Sequence, residues 1–217
     1  MKALITGASG GIGSAVVKKF LFCGYEVVGI DVAPAAIEEG GYTHILADVT
    51  GDLPEVEDVN VLVTAAGVQS EGMEAIDINL KGVIRVVEKY AFTPAIRAVV
   101  NVASASARNG AEFPIYTASK GGVVTYTKNV ALRLAPFGAT ANSLSPGGVM
   151  TSSNGPVIAD EALFREALAE NLLGKWAAPE EIAEWVYFLA AVNRSMTGED
   201  VLVDNGEMLK SNFVWPK

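Results

Sequence analysis

Short apolar, β-branched runs alternate along the chain with longer stretches in which apolar residues return every three or four positions. The first run, 3–6, is followed at 11–22 by a segment whose Ile12, Val16, Val17 and Phe20 share one helical face. Runs at 26–30, 43–47, 60–64, 98–103, 140–144 and 200–203 read as further strands. Helices are predicted at 73–90, 116–134, 160–172 and 179–190, the last with Pro179 at a first helical position. Strands this apolar, alternating with helices, predict a parallel sheet covered on both faces, in a doubly wound α/β fold. Two connections are short. The segment 48–60, through Gly51 and Pro54, is long enough to cross the sheet when extended, at ~3.3 Å per residue, but covers little. The segment 31–43 has room for about two helical turns, at 34–39. No repeat or linker divides residues 1–217, which read as a single dinucleotide-binding catalytic domain.

Composition narrows the chemistry. Cys23 is the only cysteine and His44 the only histidine, which excludes an internal disulfide, a cysteine or histidine-cluster metal site, and Ser-His-Asp or Cys-His catalysis. The net charge of −9, without clustered Lys or Arg, argues against nucleic acid as partner. Thr6 and Gly7 arrive before an export-type apolar segment develops, and no apolar run approaches the ~18 residues of a membrane span. The expectation is a cytoplasmic protein that acts on small molecules, with no metal.

Two constellations carry chemistry. The first run ends in Thr6-Gly7-Ala8-Ser9-Gly10-Gly11-Ile12-Gly13 and opens directly into a helix. Glycines let the backbone turn tightly and approach a pyrophosphate, and the helix start offers free N–H groups to it. A phosphate-binding loop for mononucleotides would need Gly-Lys-Ser/Thr, and here Ser14 follows Gly13 directly. Asp31, at the end of the second strand, either accepts hydrogen bonds from both hydroxyls of an adenosine ribose or caps the following turn. The first option favours NAD over NADP, because a 2′-phosphate would meet like charge. The second constellation is Tyr116-Thr117-Ala118-Ser119-Lys120, which puts a phenol and an ammonium on one helical face. A nearby cation favours the phenolate and lets tyrosine exchange protons near neutral pH, in place of histidine. Ser104, at the carboxyl end of the fifth strand-like run, has a hydroxyl able to hold a substrate oxygen, with Ser106 as its rival.

The chain resembles the compact, single-domain branch of the short-chain dehydrogenase/reductase family over essentially its full length. The resemblance lies in Thr6-Gly7-x-x-x-Gly11-x-Gly13, Asp31, Asp48-Val49, Ala65-Ala66-Gly67, Asn79, Ser104, Tyr116-x-x-x-Lys120 and Ser145-Pro146-Gly147 with Thr151. It implies a seven-stranded Rossmann-type sheet in the order 3-2-1-4-5-6-7 and a catalytic set of Asn79, Ser104, Tyr116 and Lys120. Tyr116 would be the general acid/base, Ser104 would orient the reacting oxygen, Lys120 would acidify Tyr116 and bind the nicotinamide ribose, and Asn79 would hold a proton-relay water. Thr6, Gly7, Ser9, Gly11, Ile12 and Gly13 would cradle the cofactor, Asp48 and Val49 would contact adenine, and Ala65, Ala66 and Gly67 would flank it. Pro146, Gly147, Val149 and Thr151 would grip the carboxamide. The implied reaction is hydride transfer between NAD and a secondary alcohol or ketone, in a homodimer or homotetramer joined through the helices at 73–90 and 116–134. The apolar Phe213-Val214-Trp215 docks either on a neighbour or on its own domain.

This chain departs from the family in reading Thr64-Ala65-Ala66-Gly67 for Asn-Asn-Ala-Gly, a loss that Thr64 is expected to absorb, and in shorter segments at 48–60, 67–79 and 104–116. Gly7, Gly10 and Gly13 also match the extended branch of epimerases and dehydratases, against which length decides. A non-catalytic sensor on the same fold, or an isomerase, stays open. Val68, Gln69, Phe113, Met150, Phe164 and Leu168 are substrate-lining candidates, mostly apolar, which favours a neutral carbonyl compound.

Overall fold

The computed structural model describes residues 1–111 and 113–209, so the 213–215 segment lies outside the described residues. Among the described residues seven parallel strands form one sheet: β1 (Lys2–Thr6), β2 (Glu26–Asp31), β3 (Tyr42–Leu46), β4 (Val61–Thr64), β5 (Ala98–Val102), β6 (Thr140–Pro146) and β7 (Asp200–Val203). Their order is β3-β2-β1-β4-β5-β6-β7, the order implied by the resemblance. β4 and β5 are buried at every position because helices cover both faces, while β3, at an edge, is half exposed.

Alternation along each strand divides the core in two. Ala3, Ile5, Val61, Val63 and Val100 face α1 (Gly11–Phe22) and α7 (Pro179–Tyr187), whose Val16, Phe20, Ile182 and Val186 are fully buried. Leu4, Leu62 and Val99 face α2 (Val83–Tyr90) and α4 (Pro114–Leu134) through Val86, Val87, Val123 and Leu134. α1 and α7 are further joined by the edge-on rings of Phe20 and Tyr187, 5.4 Å between centroids, and by Lys19 with Glu184 at 2.6 Å, and Tyr25, before β2, adds a ring 4.9 Å from Phe20.

The remaining helices are short: α3 (Ser106–Asn109), α5 (Gly155–Ala159) and α6 (Glu161–Ala169). Asp160 caps α6 by accepting from the N–H groups of Ala162 and Leu163, both at 3.1 Å. Among the described residues no helix is long and apolar enough to cross a membrane.

Three expectations need correction. Residues 34–39 form no helix. The chain must return the full length of β2 to start β3 alongside it, and a six-residue helix would advance only ~9 Å. An irregular extended link spans the gap, and Ile37, 6% exposed, plugs it into the core. The helix expected at 73–90 is regular only from Val83; Ile76–Gly82 winds as a wider π-type turn that turns Asn79 inward. The helix expected at 179–190 likewise passes into a π-type turn at Phe188–Val192. The segment 48–60 is helix-free and is tied to α2 by side chains: Lys89 donates to the Leu53 carbonyl at 2.7 Å and Tyr90 to that of Pro54 at 2.6 Å.

A buried polar triad lies under the carboxyl edge of the sheet. Thr64 Oγ1 donates to Asn101 Oδ1 at 2.8 Å, Asn101 Nδ2 donates to Thr127 Oγ1 at 2.9 Å, and Thr127 Oγ1 donates to the Val123 carbonyl at 2.8 Å. Thr64 thus ties β4 to β5 in the way expected of it, and Asn101 extends the tie to α4. Replacing Thr64 with the near-isosteric Val leaves Asn101 Oδ1 buried without a donor. We expect a loss of about 1–3 kcal/mol in urea unfolding, with little change in the slope against denaturant.

Candidate active site

The site is built at the carboxyl ends of the strands, and its shape starts with close backbone contacts. Gly7 has φ +71°, and a Cβ there would lie 2.5 Å from the Ala66 nitrogen and 2.6 Å from the Ala65 carbonyl. A Cβ on Gly13 would overlap the Gly7 carbonyl oxygen. Only glycine permits this packing, which lays the β1–α1 turn against the loop after β4. A Cβ on Gly11 would lie 2.5 Å from Thr151 Cγ2, so the segment after β6 reaches across the start of α1. Val149, in that segment, bridges to Ala177.

A cleft of about 330 Å³ opens beside this turn. Gly7, Ser9, Asp31, Asp48, Val49, Ala65, Ala66 and Gly67, all named from the sequence, line it, as does Val68. Thr6, Gly11, Ile12, Gly13, Pro146, Gly147, Val149 and Thr151 are outside this lining; Thr6 is buried beneath it. Ile30, Val32, Ala33, Ala47 and Ile78 line it without having been singled out, each one or two residues from one that was, Ile78 being next to Asn79. Asp31 is fixed from two sides, its Oδ2 accepting from the Ser9 N–H and its Oδ1 from the Ala33 N–H, both at 2.9 Å. Its position is that of the turn cap, one of the two options read from the sequence, and it also borders the cleft. Asp48 Oδ1 accepts from the N–H and hydroxyl of Thr50, both at 2.8 Å, which holds its carboxyl below the usual carboxylate range. His44 is engaged elsewhere, with Nδ1 2.8 Å from Tyr42 Oη and Nε2 2.9 Å from the Ala33 carbonyl.

The second half of the site centres on Lys120. Its Nζ donates to the Val102 carbonyl at 3.0 Å and lies 5.7 Å from the centre of the Tyr116 ring, one helical turn away. The residue is 6% exposed, and burial pulls its pKa down to about 8. Asn79, fully buried, accepts from the Val68 N–H at 2.8 Å and donates to the Val68 carbonyl at 2.9 Å. It also donates to Ser119 Oγ at 3.0 Å, and Ser119 passes its own proton to the Tyr116 carbonyl at 2.6 Å. A Cβ on Gly67 would stand 3.1 Å from Asn79 Oδ1 and 3.4 Å from Lys120 Nζ, so the lining of the cleft and the Asn79–Lys120 pair meet at that residue.

Ser104 follows β5, and its Oγ accepts from both the N–H and the hydroxyl of Ser106, at 3.2 and 3.0 Å. Its own hydroxyl proton has no acceptor among the described residues. α3, which carries Ser106, is held by Arg108, whose Nε donates to Asp200 Oδ2 at 2.7 Å. Asp200 Oδ1 also accepts from Ser143 and Ser145, at 2.8 and 2.7 Å. Ser119 and this Arg108–Asp200 clamp went unnoticed in the sequence. Ser119 lies inside the Tyr116–Lys120 stretch, where its spacing from Tyr116 was available as a signal. Arg108 and Asp200 are 92 positions apart, with no local sign of their pairing.

A family model described as enoyl-(acyl carrier protein) reductase matches residues 55–207. Acetoacetyl-CoA reductase of Paracoccus denitrificans is 32% identical over 235 residues, covering 94% of this chain and 96% of that protein. Among solved structures, ligand-free aldohexose dehydrogenase of Thermoplasma acidophilum superposes with a TM-score of 0.86 at 25% identity, over 100% of this chain and 97% of that one. A protein from Agrobacterium tumefaciens solved with bound NADP gives 0.84 at 27% identity, over 96% of each chain.

The buried Lys120 has a cost that can be measured. Its pKa falls from 10.5 to about 8 on folding. The folded state therefore resists the proton that the unfolded state keeps, and stability is reduced by about 3 kcal/mol at all pH values below about 8. The penalty fades as pH rises from about 8 to the unfolded value. Lys120→Met should therefore be more stable than the parent protein at pH 7, by up to about 3 kcal/mol less the lost bond to Val102. That gain should shrink toward pH 10, as read by denaturant titration at several pH values.

Proposed function

The chain belongs to the short-chain dehydrogenase/reductase family, and from that premise we propose that it is an NAD(H)-dependent oxidoreductase interconverting a secondary alcohol and a ketone, with Tyr116 as general acid/base. The observation that carries this reading is the buried ammonium of Lys120 one turn from the Tyr116 ring, at the edge where the glycine turn opens. A binding protein has no need of a desolvated cation beside a phenol, whereas proton exchange does.

The residues fit a dinucleotide. The turn through Gly7, Gly11 and Gly13 has no room for side chains, and the start of α1 suits a pyrophosphate. Asp31 borders the cleft with its carboxylate held in place by two backbone N–H groups, ready to accept from ribose hydroxyls and opposed to a 2′-phosphate. When bound, the dinucleotide supplies or accepts the hydride. In the direction of reduction, Ser104 donates to the carbonyl oxygen and Tyr116 delivers the proton to the developing alkoxide. Lys120 stabilises the phenolate left behind, and Asn79, locked to Val68 and Ser119, keeps the turn beside Lys120 in place. Pro146, Gly147, Val149 and Thr151 border the nicotinamide end. A homodimer or homotetramer remains part of the proposal.

Incubation with NADH and acetoacetyl-CoA, or with NAD and a panel of secondary alcohols and aldohexoses, followed by absorbance of the reduced cofactor, tests the reading. Turnover is expected on at least one member, and none on any would overturn it. On the responsive substrate, Tyr116→Phe should lower kcat by about 10³-fold while NADH still binds with near-parental affinity, measured by its fluorescence. Near-normal turnover would remove Tyr116 from the mechanism. Because the Agrobacterium neighbour holds NADP, coenzyme choice needs its own measurement. The kcat/KM ratio should favour NAD, and Asp31→Ala should narrow it by about tenfold or more. A parent protein that already prefers NADP would contradict the role given to Asp31.

A further inference from the structure

The half-buried Ser104 is held by a helix that has little to hold itself with. α3 is a single turn of four residues, and none of them is buried. A helix this short does not persist on its own hydrogen bonds, and with no apolar face to bury it needs another anchor. At its amino end the Ala105 N–H donates to the Pro146 carbonyl at 2.8 Å. Toward its other end the Arg108 guanidinium donates to both the side chain and the backbone carbonyl of Asp200.

The Asp200 carboxylate is itself fixed. Its side chain is 9% exposed, and the oxygen not engaged by Arg108 accepts from the hydroxyls of Ser143 and Ser145, both buried in β6. Three side chains from two elements thus converge on one carboxylate at the start of β7, which becomes a rigid post for α3.

What α3 delivers is Ser106. Its N–H and its hydroxyl both donate to Ser104 Oγ, at 3.2 and 3.0 Å. A serine hydroxyl accepts two hydrogen bonds and donates one. Both acceptor positions of Ser104 are therefore taken from within the protein, and the role left to it is that of donor.

We propose that Ser106 is a positioning residue, kept in register by Arg108 and Asp200, which makes Ser104 a donor only and so decides where a substrate proton can point. The proposal rests on the oxidoreductase reading, with Ser104 and Tyr116 at the reacting oxygen. In the direction of oxidation an alcohol brings its own hydroxyl proton. A Ser104 with a vacant acceptor position would take the hydrogen bond of that proton and hold the alcohol turned away from Tyr116, in a pose that cannot react. With Ser104 saturated, the alcohol oxygen accepts from Ser104 and its proton faces the Tyr116 phenolate, which receives it as the hydride passes to the dinucleotide. A ketone has no such proton and cannot be misplaced in this way. A largely desolvated ion pair adds little net stability, so the value of the Arg108–Asp200 pair lies in where it sets α3.

Kinetics in both directions on the responsive alcohol and ketone test the proposal. Ser106→Ala frees one acceptor position on Ser104 and leaves the described core untouched. Oxidation should then lose about tenfold in kcat while KM falls about threefold, the mark of unproductive binding, and reduction should lose about threefold in kcat at unchanged KM. Ser106→Thr keeps the hydroxyl and should recover most of the loss, and Arg108→Gln should reproduce the Ser106→Ala pattern. Equal kcat losses in both directions at unchanged KM, as a smaller folded fraction gives, would overturn the proposal, and so would parental kinetics in Ser106→Ala. If Arg108→Gln fails to fold, the two Ser106 variants carry the test. The rotamer of Ser104 is read without turnover: in serine-labelled protein, with its signals assigned through Ser104→Ala, side-chain NMR couplings should report one rotamer in the parent and an average of several in Ser106→Ala. A parent that turns over nothing overturns the oxidoreductase reading, and the rotamer then decides the positioning by itself. A rotamer unchanged in Ser106→Ala overturns it.

Discussion

Between β1 and α1 the main chain passes so close to the loop after β4 that a single methyl group has no place to go. Gly7 rests against the Ala65–Ala66 peptide, and Gly13 against the carbonyl of Gly7. Much of the carboxyl edge is arranged by that contact. It sets the start of α1 at the mouth of a cleft, and it brings Ser9 to where its N–H holds Asp31. It also draws the 65–67 segment inward until Gly67 meets Asn79 and Lys120. The glycines serve less to make the loop supple than to let three backbone segments share a space that side chains would otherwise divide.

Around this contact the protein buries several polar groups. Asn79, Asn101, Ser119, Thr127 and Lys120 are all buried, and each has hydrogen-bonding partners. A fully satisfied network of this kind fixes geometry more than it adds stability. Lys120 shows the balance: the protein accepts an amine whose charged form is disfavoured by its surroundings, within a frame whose other members are paired.

The sheet was legible because its strands are short, β-branched and apolar on both faces, and their order followed from the family resemblance. The edges of elements were less so. Residues 34–39 have the composition of a helix, but the distance they must travel forbids one. The π-type turn at Ile76–Gly82 comes from tertiary demands on Asn79 that no local periodicity encodes. At the site, glycine spacing and the Tyr116–Lys120 interval could be read because they are local. Asp31 could be placed at the cleft, but not its two backbone donors. The partnerships of Thr64 with Asn101, or of Arg108 with Asp200, join positions 37 and 92 residues apart, which only the folded chain brings together.

The pairing of α1 with α7 has a consequence for how the chain is made. Lys19 and Glu184 are 165 positions apart, and Phe20 waits for Tyr187 over a similar interval. Translation proceeds from the amino end at roughly 5–20 residues per second, so the apolar stripe of α1 leaves the ribosome about 10–30 s before its cover has been synthesised. The side of α1 that meets α7 therefore stays without that cover until the last of the seven helices has been made.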